Sequence, residues 1–171
     1  EDLFGYKSFI TTKEMEKGVD EENTSIALFN QVKGTNYEKN IIRLENDWIT
    51  GECDLKGYDE IVDIKSSWSL ETFPASPSDI NSKEYEWQLR GYMWLYNKPK
   101  ATLAYCMVDT PDYLLKDWDY QKIHKVSNID ASLRVTTVSF ERNIDLEEQI
   151  KEKVELCKEF YFHYKNEILN K

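Results

Sequence analysis

The segment Glu60-Ile61-Val62-Asp63-Ile64-Lys65-Ser66-Ser67 constrains this chain more than any other. Its alternation has the period of a β-strand, so Asp63 and Lys65 project from one face while Val62 and Ile64 project from the other. The preceding stretch, Thr50-Gly51-Glu52-Cys53-Asp54-Leu55, reads as its hairpin partner, with Lys56-Gly57-Tyr58-Asp59 as the turn. Pairing across that turn sets Asp54 opposite Ile61 and diagonal to Asp63, within side-chain reach. Two carboxylates and an ammonium then converge on one sheet face. Converging carboxylates repel, and one of them takes up a proton unless a cation lies between them. Hard oxygen donors with room for water suit Mg²⁺ or Mn²⁺. A solvated hairpin face without a site is the alternative at this stage.

Around this hairpin the pattern alternates helices and strands. Residues 13–32 read as one helix, with Met15, Val19, Ile26 and Phe29 on a single stripe. Position 22 falls on that stripe and is Glu, a residue that is costly to bury unless it is paired or ligated. Glu22 is therefore a candidate metal ligand, with Glu21 in its place if the helix is rotated. Residues 41–44, 48–55, 60–65, 101–108 and 134–140 read as strands, and residues 84–96 as a helix. That helix carries Tyr85, Leu89, Tyr92, Met93 and Tyr96 on one side, and brings Gln88 and Tyr92 together at i and i+4. Residues 69–83, with Pro74, Pro77 and several Ser and Asp, read as a loop bordering the cleft. A last helix carries a seam of Leu146, Ile150, Val154, Cys157, Tyr161, Tyr164 and Ile168, and Phe160-Tyr161-Phe162 is expected to pack in a core. The fold class is α+β (mixed α/β), a central mixed sheet flanked by helices, in one domain over residues 1–171.

The formal net charge is −10, which weighs against a phosphate-binding surface unless a local site provides one. No apolar run is long enough to cross a membrane. The three widely spaced cysteines, Cys53, Cys106 and Cys157, make neither a disulfide framework nor a metal clip, so a cytoplasmic setting is expected. His124 and His163 suggest no dyad and read as structural or exposed. No nucleophile triad, P-loop or dinucleotide glycine fingerprint is present.

Taken together, these residues resemble the PD-(D/E)XK nuclease superfamily. Asp54 following Gly51, Asp63-Ile64-Lys65 as the D-x-K element, and Gln88-Leu89-Arg90-Gly91-Tyr92 as the Q-x-x-x-Y helix carry the resemblance. Gly18-Val19-Asp20-Glu21-Glu22 with Phe29, and Tyr85-Glu86-Trp87-Gln88 with Tyr92-Met93-Trp94, are similar to the lambda exonuclease and YqaJ-type branch. The likeness spans roughly residues 14–110. Cys53-Asp54 stands where the family's motif has Pro-Asp, and the short spacing from Asp54 to Asp63 is nearer the compact RecB-like form.

The resemblance implies a restriction-endonuclease-like core and a Mg²⁺- or Mn²⁺-dependent DNA exonuclease of phage or bacterial recombination. Glu22, Asp54, Asp63 and the Ile64 carbonyl would hold metal. Lys65 would orient a water or help deprotonate it, Gln88 would position that water, and Tyr92 would support its helix or touch DNA. Ser66, Lys83 and Arg90 are expected at the substrate, with Lys100 and Arg43 completing a basic rim. The expected partner is DNA, double-stranded with a free end, with a single-strand-annealing protein as a further partner and oligomerisation left open. Asp63 is expected to face a cleft and pack little. Two rival readings stand beside the exonuclease: an endonuclease on the same site, and an inactive nuclease-fold protein that binds or inhibits.

Overall fold

The computed structural model describes residues 11–116 and 120–170, in two compact units. One unit, Thr12–Arg142, holds the sheet. Its elements run α1 (Lys13–Asp20), α2 (Glu22–Lys33), β1 (Leu44–Glu45), β2 (Thr50–Gly51), β3 (Leu55–Lys56), β4 (Glu60–Ser66), α3 (Lys83–Leu95), β5 (Lys100–Cys106) and β6 (Val135–Glu141). The other unit begins at Asn143 and contains α4 (Ile144–Leu169).

The main sheet has the order β3-β4-β5-β6, with β4 and β5 parallel and both outer pairings antiparallel. The expected mixed α+β class is therefore observed. β4 returns to β5 through α3, because parallel neighbours need a crossover and α3 supplies it. Strands covered on both faces read as nearly continuous apolar runs, and Ile61-Val62 and Ala101 through Ala104 are buried accordingly. Val62, Ile64, Ala104 and Cys106 pack against Ile26, Leu28 and Phe29 of α2. On the opposite face, Ile61, Ala101 and Leu103 pack against Leu89, Met93 and Tyr96 of α3 and its end. Each fully buried Leu, Ile or Phe contributes about 1.5–3 kcal/mol. α2 ends at Gly34, whose φ of 66° is the left-handed cap that glycine adopts without penalty.

Several expectations are corrected. The predicted helix over 13–32 is two helices, broken at Glu21, so its stripe does not run through. Met15 and Val19 are 57% and 75% exposed, and Lys17 takes the buried side of α1 instead. The strand expected over 48–55 shortens to β2 and β3, and that over 41–44 to Leu44–Glu45. The Asn46 side chain accepts from the amides of Trp48 and Ile49, which turns the chain between β1 and β2. Within the expected loop, Ser76 and Asp79 close a capping box on the short turn Pro77–Asp79.

α4 is capped by the Asn143 side chain, which accepts from Asp145 N. The seam expected along it is covered only in part. Leu146, Ile150, Val154 and Ile168 are half-buried, while Cys157, Phe160, Tyr161, Phe162 and Tyr164 are exposed, so the aromatic end is not core. Phe160 and Tyr164 stack on each other along the helix surface at 5.8 Å. His163 lies exposed on α4, whereas His124 is buried with Nδ1 at 3.2 Å from both Thr110 Oγ1 and Trp68 O. Among the described residues, no helix is long and apolar enough to cross a membrane. All three cysteines are free thiols, Cys53 and Cys106 buried and Cys157 exposed.

Candidate active site

The hairpin pairs Leu55 with Val62 and Lys56 with Ile61. Its tip is Tyr58-Asp59, closed by Gly57 N donating to Glu60 O at 2.8 Å. Continued one step, this register sets Asp54 opposite Asp63, a shift from the expected pairing with Ile61. Directly opposed residues approach more closely than diagonal ones, so the correction tightens the convergence. β3 stops after two residues because the next free amide of β4 is taken by a side chain: Ile64 N donates to Asp54 Oδ2 at 2.6 Å. From the other side, Asn40 N donates to Asp54 O at 2.7 Å. Asp54 is held from two directions.

Asp63 is 2% exposed, which overturns its expected place in an open cleft. Its Oδ2 lies 2.6 Å from Lys65 Nζ in an ion pair. Among the described residues that buried oxygen has this ammonium beside it and no other donor. Lys65 also lies over the Tyr85 ring of α3, 4.9 Å from its centroid. Desolvation, and then repulsion from Asp63, push Asp54 up to about 6, against the pull of the Ile64 amide and Lys65; the Glu22 charge adds to the push. Burial also raises Asp63, although Lys65 opposes it. For Lys65, burial favours the neutral amine, but the carboxylates of Asp63 and Asp54 outweigh it and keep the ammonium. A carboxyl raised by burial beside a second acid marks a candidate functional site.

Glu22 opens α2 half-buried, and its carboxylate is taken by Lys39 Nζ. Glu21 becomes the elbow between α1 and α2. With Glu22 so held, no three His, Cys, Asp or Glu side chains stand together as a ready cage among the described residues. The donor set nonetheless suits a hard divalent cation, because half-buried Asp54 and buried Asp63 bring carboxylate oxygens together.

Gln88 is exposed on α3 and donates through Nε2 to Tyr92 OH at 2.7 Å. The Tyr92 ring lies so close over Gly51 that any Cβ there would run into it. The Q-x-x-x-Y pair thus fastens α3 to the strand leading into Asp54.

Two of the expected rim cations, Arg90 and Lys100, are paired with carboxylates. Arg90 pairs with Glu86 at 2.5 Å, donates to Glu141 O at 3.3 Å and lies over Phe140, which turns it toward β6. Lys100 pairs with Glu60 at 3.3 Å, at the start of β4 and β5. Five residues of strand, about 16 Å, separate that end from Lys65. Ser66 projects to the α2 face, where its Oγ meets Ser25 Oγ at 2.7 Å. Arg43 Nε donates to Thr50 Oγ1 at 3.1 Å, and Lys83 is exposed at the first residue of α3.

Two lysines escaped the sequence reading. Lys17 is fully buried, and Nζ donates to Ser67 O at 2.6 Å, Val108 O at 2.9 Å and Trp68 O at 3.1 Å. It caps the ends of β4 and β5 just past Lys65. Lys39 lies beside Asp54, since its backbone bridges Leu55. No local pattern marks either residue, because each meets partners distant in sequence.

The sequence matches no protein-family model and no curated relative. Its fold is similar to a phage-related exonuclease from Haemophilus somnus 129PT, with 32% identity and a TM-score of 0.90 over 98% of this chain and 78% of that one. An alkaline exonuclease from Laribacter hongkongensis has a similar fold at 14% identity, with a TM-score of 0.66 over 99% of this chain and 78% of that one. Its complex with dAMP gives 16% identity and a TM-score of 0.64, over 99% and 80% of the two chains.

Proposed function

This chain belongs to the phage-related exonuclease family, in the lambda-exonuclease-like branch of the PD-(D/E)XK nucleases, and we propose that it is a divalent-cation-dependent exonuclease acting on double-stranded DNA from a free end. One observation supports the site: Asp54 and the buried Asp63 face each other across the hairpin, with Lys65 Nζ 2.6 Å from Asp63 Oδ2. Asp54, Asp63, the Ile64 carbonyl and Glu22 would hold Mg²⁺ or Mn²⁺. Such an ion supplies Lewis acidity toward a phosphoryl oxygen and makes water more acidic.

The remaining work falls to protein groups. Lys65 keeps its proton beside two carboxylates, so it serves as a donor and a positive charge rather than as a base. It can orient the attacking water and stabilise charge that grows on the phosphate. Gln88 gives its amide hydrogen to Tyr92, which leaves its carbonyl to accept from that water. Tyr92, packed on Gly51, keeps Gln88 in place.

In this reading residues 1–171 form one nuclease domain in a cytoplasmic setting, with an annealing protein as the natural recipient of the strand produced. Digestion of linear and closed-circular duplexes, with Mg²⁺ and with chelator, tests it. Loss of linear DNA alone, dependent on Mg²⁺, is expected. Nicked circles would make it an endonuclease, and inactivity with both Mg²⁺ and Mn²⁺ would make it a binding protein.

A further inference from the structure

An acidic protein that handles DNA needs a local cation at its site, and three of the expected ones are occupied elsewhere. Arg90 is turned to β6, Lys100 lies at the far end of β4, and Arg43 bonds to Thr50. Lys39 is differently placed. Its backbone bridges Leu55, and Asn40, next in the chain, donates to Asp54 O. The Asn40 side chain fixes this segment further, donating to Cys53 O at 2.9 Å and to Tyr96 OH at 3.1 Å. The root of Lys39 is thus rigid beside Asp54, while its side chain is 44% exposed and ends on Glu22.

Resting on the function proposed above, we propose that Lys39 is an exchangeable cation of the active site: it neutralises Glu22 when no metal is bound, and moves to a DNA phosphate when Glu22 turns to the metal. Once Glu22 is a metal ligand its charge is met by the ion, which frees the Lys39 ammonium for a phosphate. An exposed pair such as Lys39–Glu22 is worth little, about fivefold in an equilibrium constant at most, so the exchange is easily driven.

Titration calorimetry with Mg²⁺ alone, and DNA binding in Ca²⁺ over a series of salt concentrations, test this on the full chain. Lys39→Met should bind Mg²⁺ about 2- to 5-fold more tightly, because Glu22 is released. The same variant should bind a short blunt duplex more weakly, with the slope of log affinity against log salt reduced by about one. Lys39→Arg should keep the wild-type slope. An unchanged slope in Lys39→Met, or Mg²⁺ binding that is unchanged or weaker, overturns the exchange. Wild-type protein that binds no Mg²⁺ would overturn the metal site itself, and Lys39 with it; a wild type that binds Mg²⁺ beside an unaltered Lys39→Met would remove only the role of Lys39.

Discussion

Two lysines near the end of one strand are held in opposite ways. Lys17 gives its hydrogens to three backbone carbonyls and is shut off from solvent. Lys65, two residues before the first of those carbonyls, has one carboxylate at 2.6 Å and an aromatic ring beneath it. A saturated ammonium is locked, whereas one with hydrogens to spare can still serve a substrate. Satisfied buried polar groups fix a structure, and unsatisfied ones mark where something else is meant to bind.

The sharpest way to break this comparison is Lys17→Met. It leaves three carbonyls without their donor, and about 3–5 kcal/mol of stability should be lost, read as a fall in the urea midpoint. A loss below about 1 kcal/mol would mean the clamp is ornamental. Lys65→Ala should act the other way round. The rate should drop by about 10²-fold or more, while DNA affinity changes far less. Its stability should fall mainly above the range where Asp63 can take up a proton in place of its lost cation. Normal cleavage by this variant would remove Lys65 from the chemistry.

Much of this site was legible in the sequence, for physical reasons that also explain the errors. Strand alternation is local, so Asp63 and Lys65 were rightly placed on one face and Val62 and Ile64 on the other. The same logic put Gln88 and Tyr92 side by side. Hairpin register is not local here: Asp54 binding Ile64 N and Asn40 binding Asp54 decide it, and neither shows in a pattern of apolar residues. The stripe through Met15 and Val19 failed because the carbonyls that bury Lys17 come from residues 67, 68 and 108, which favours the polar side of α1. Glu86 lies at i and Arg90 at i+4 of the expected helix, so that pairing is local, whereas only the strand pairing brings Glu60 to Lys100.

A smaller effect concerns the carboxylate pair. The Asp54 carboxyl is raised from 3.8 to about 6, so the folded protein holds this proton more tightly than the unfolded chain does. That contribution is fully present below about pH 4 and is lost as pH rises through about 6. In chelator, the melting temperature should therefore fall across this window, and Asp54→Asn should flatten the fall and gain about 1–2 kcal/mol at neutral pH. A wild-type profile that rises from pH 4 to 7 would contradict the crowding of the two acids. The smallest effect is expected from the paired surface cations. Arg90→Ala with Lys100→Ala should leave the salt slope of DNA binding within experimental scatter of wild type, whereas an open rim would lose about two units.

The distribution of thiols has a practical consequence. Cys53, next to Asp54, is pushed up to about 11 by burial, and Cys106 to about 12. Neither supplies thiolate at neutral pH, and both are closed to solvent. Cys157, exposed on α4, is left as the position where a maleimide dye reacts in the native protein. The wild-type chain can thus be tagged at one place, in the unit that does not contain Asp54, Asp63 or Lys65, and followed on single DNA molecules without cysteine engineering.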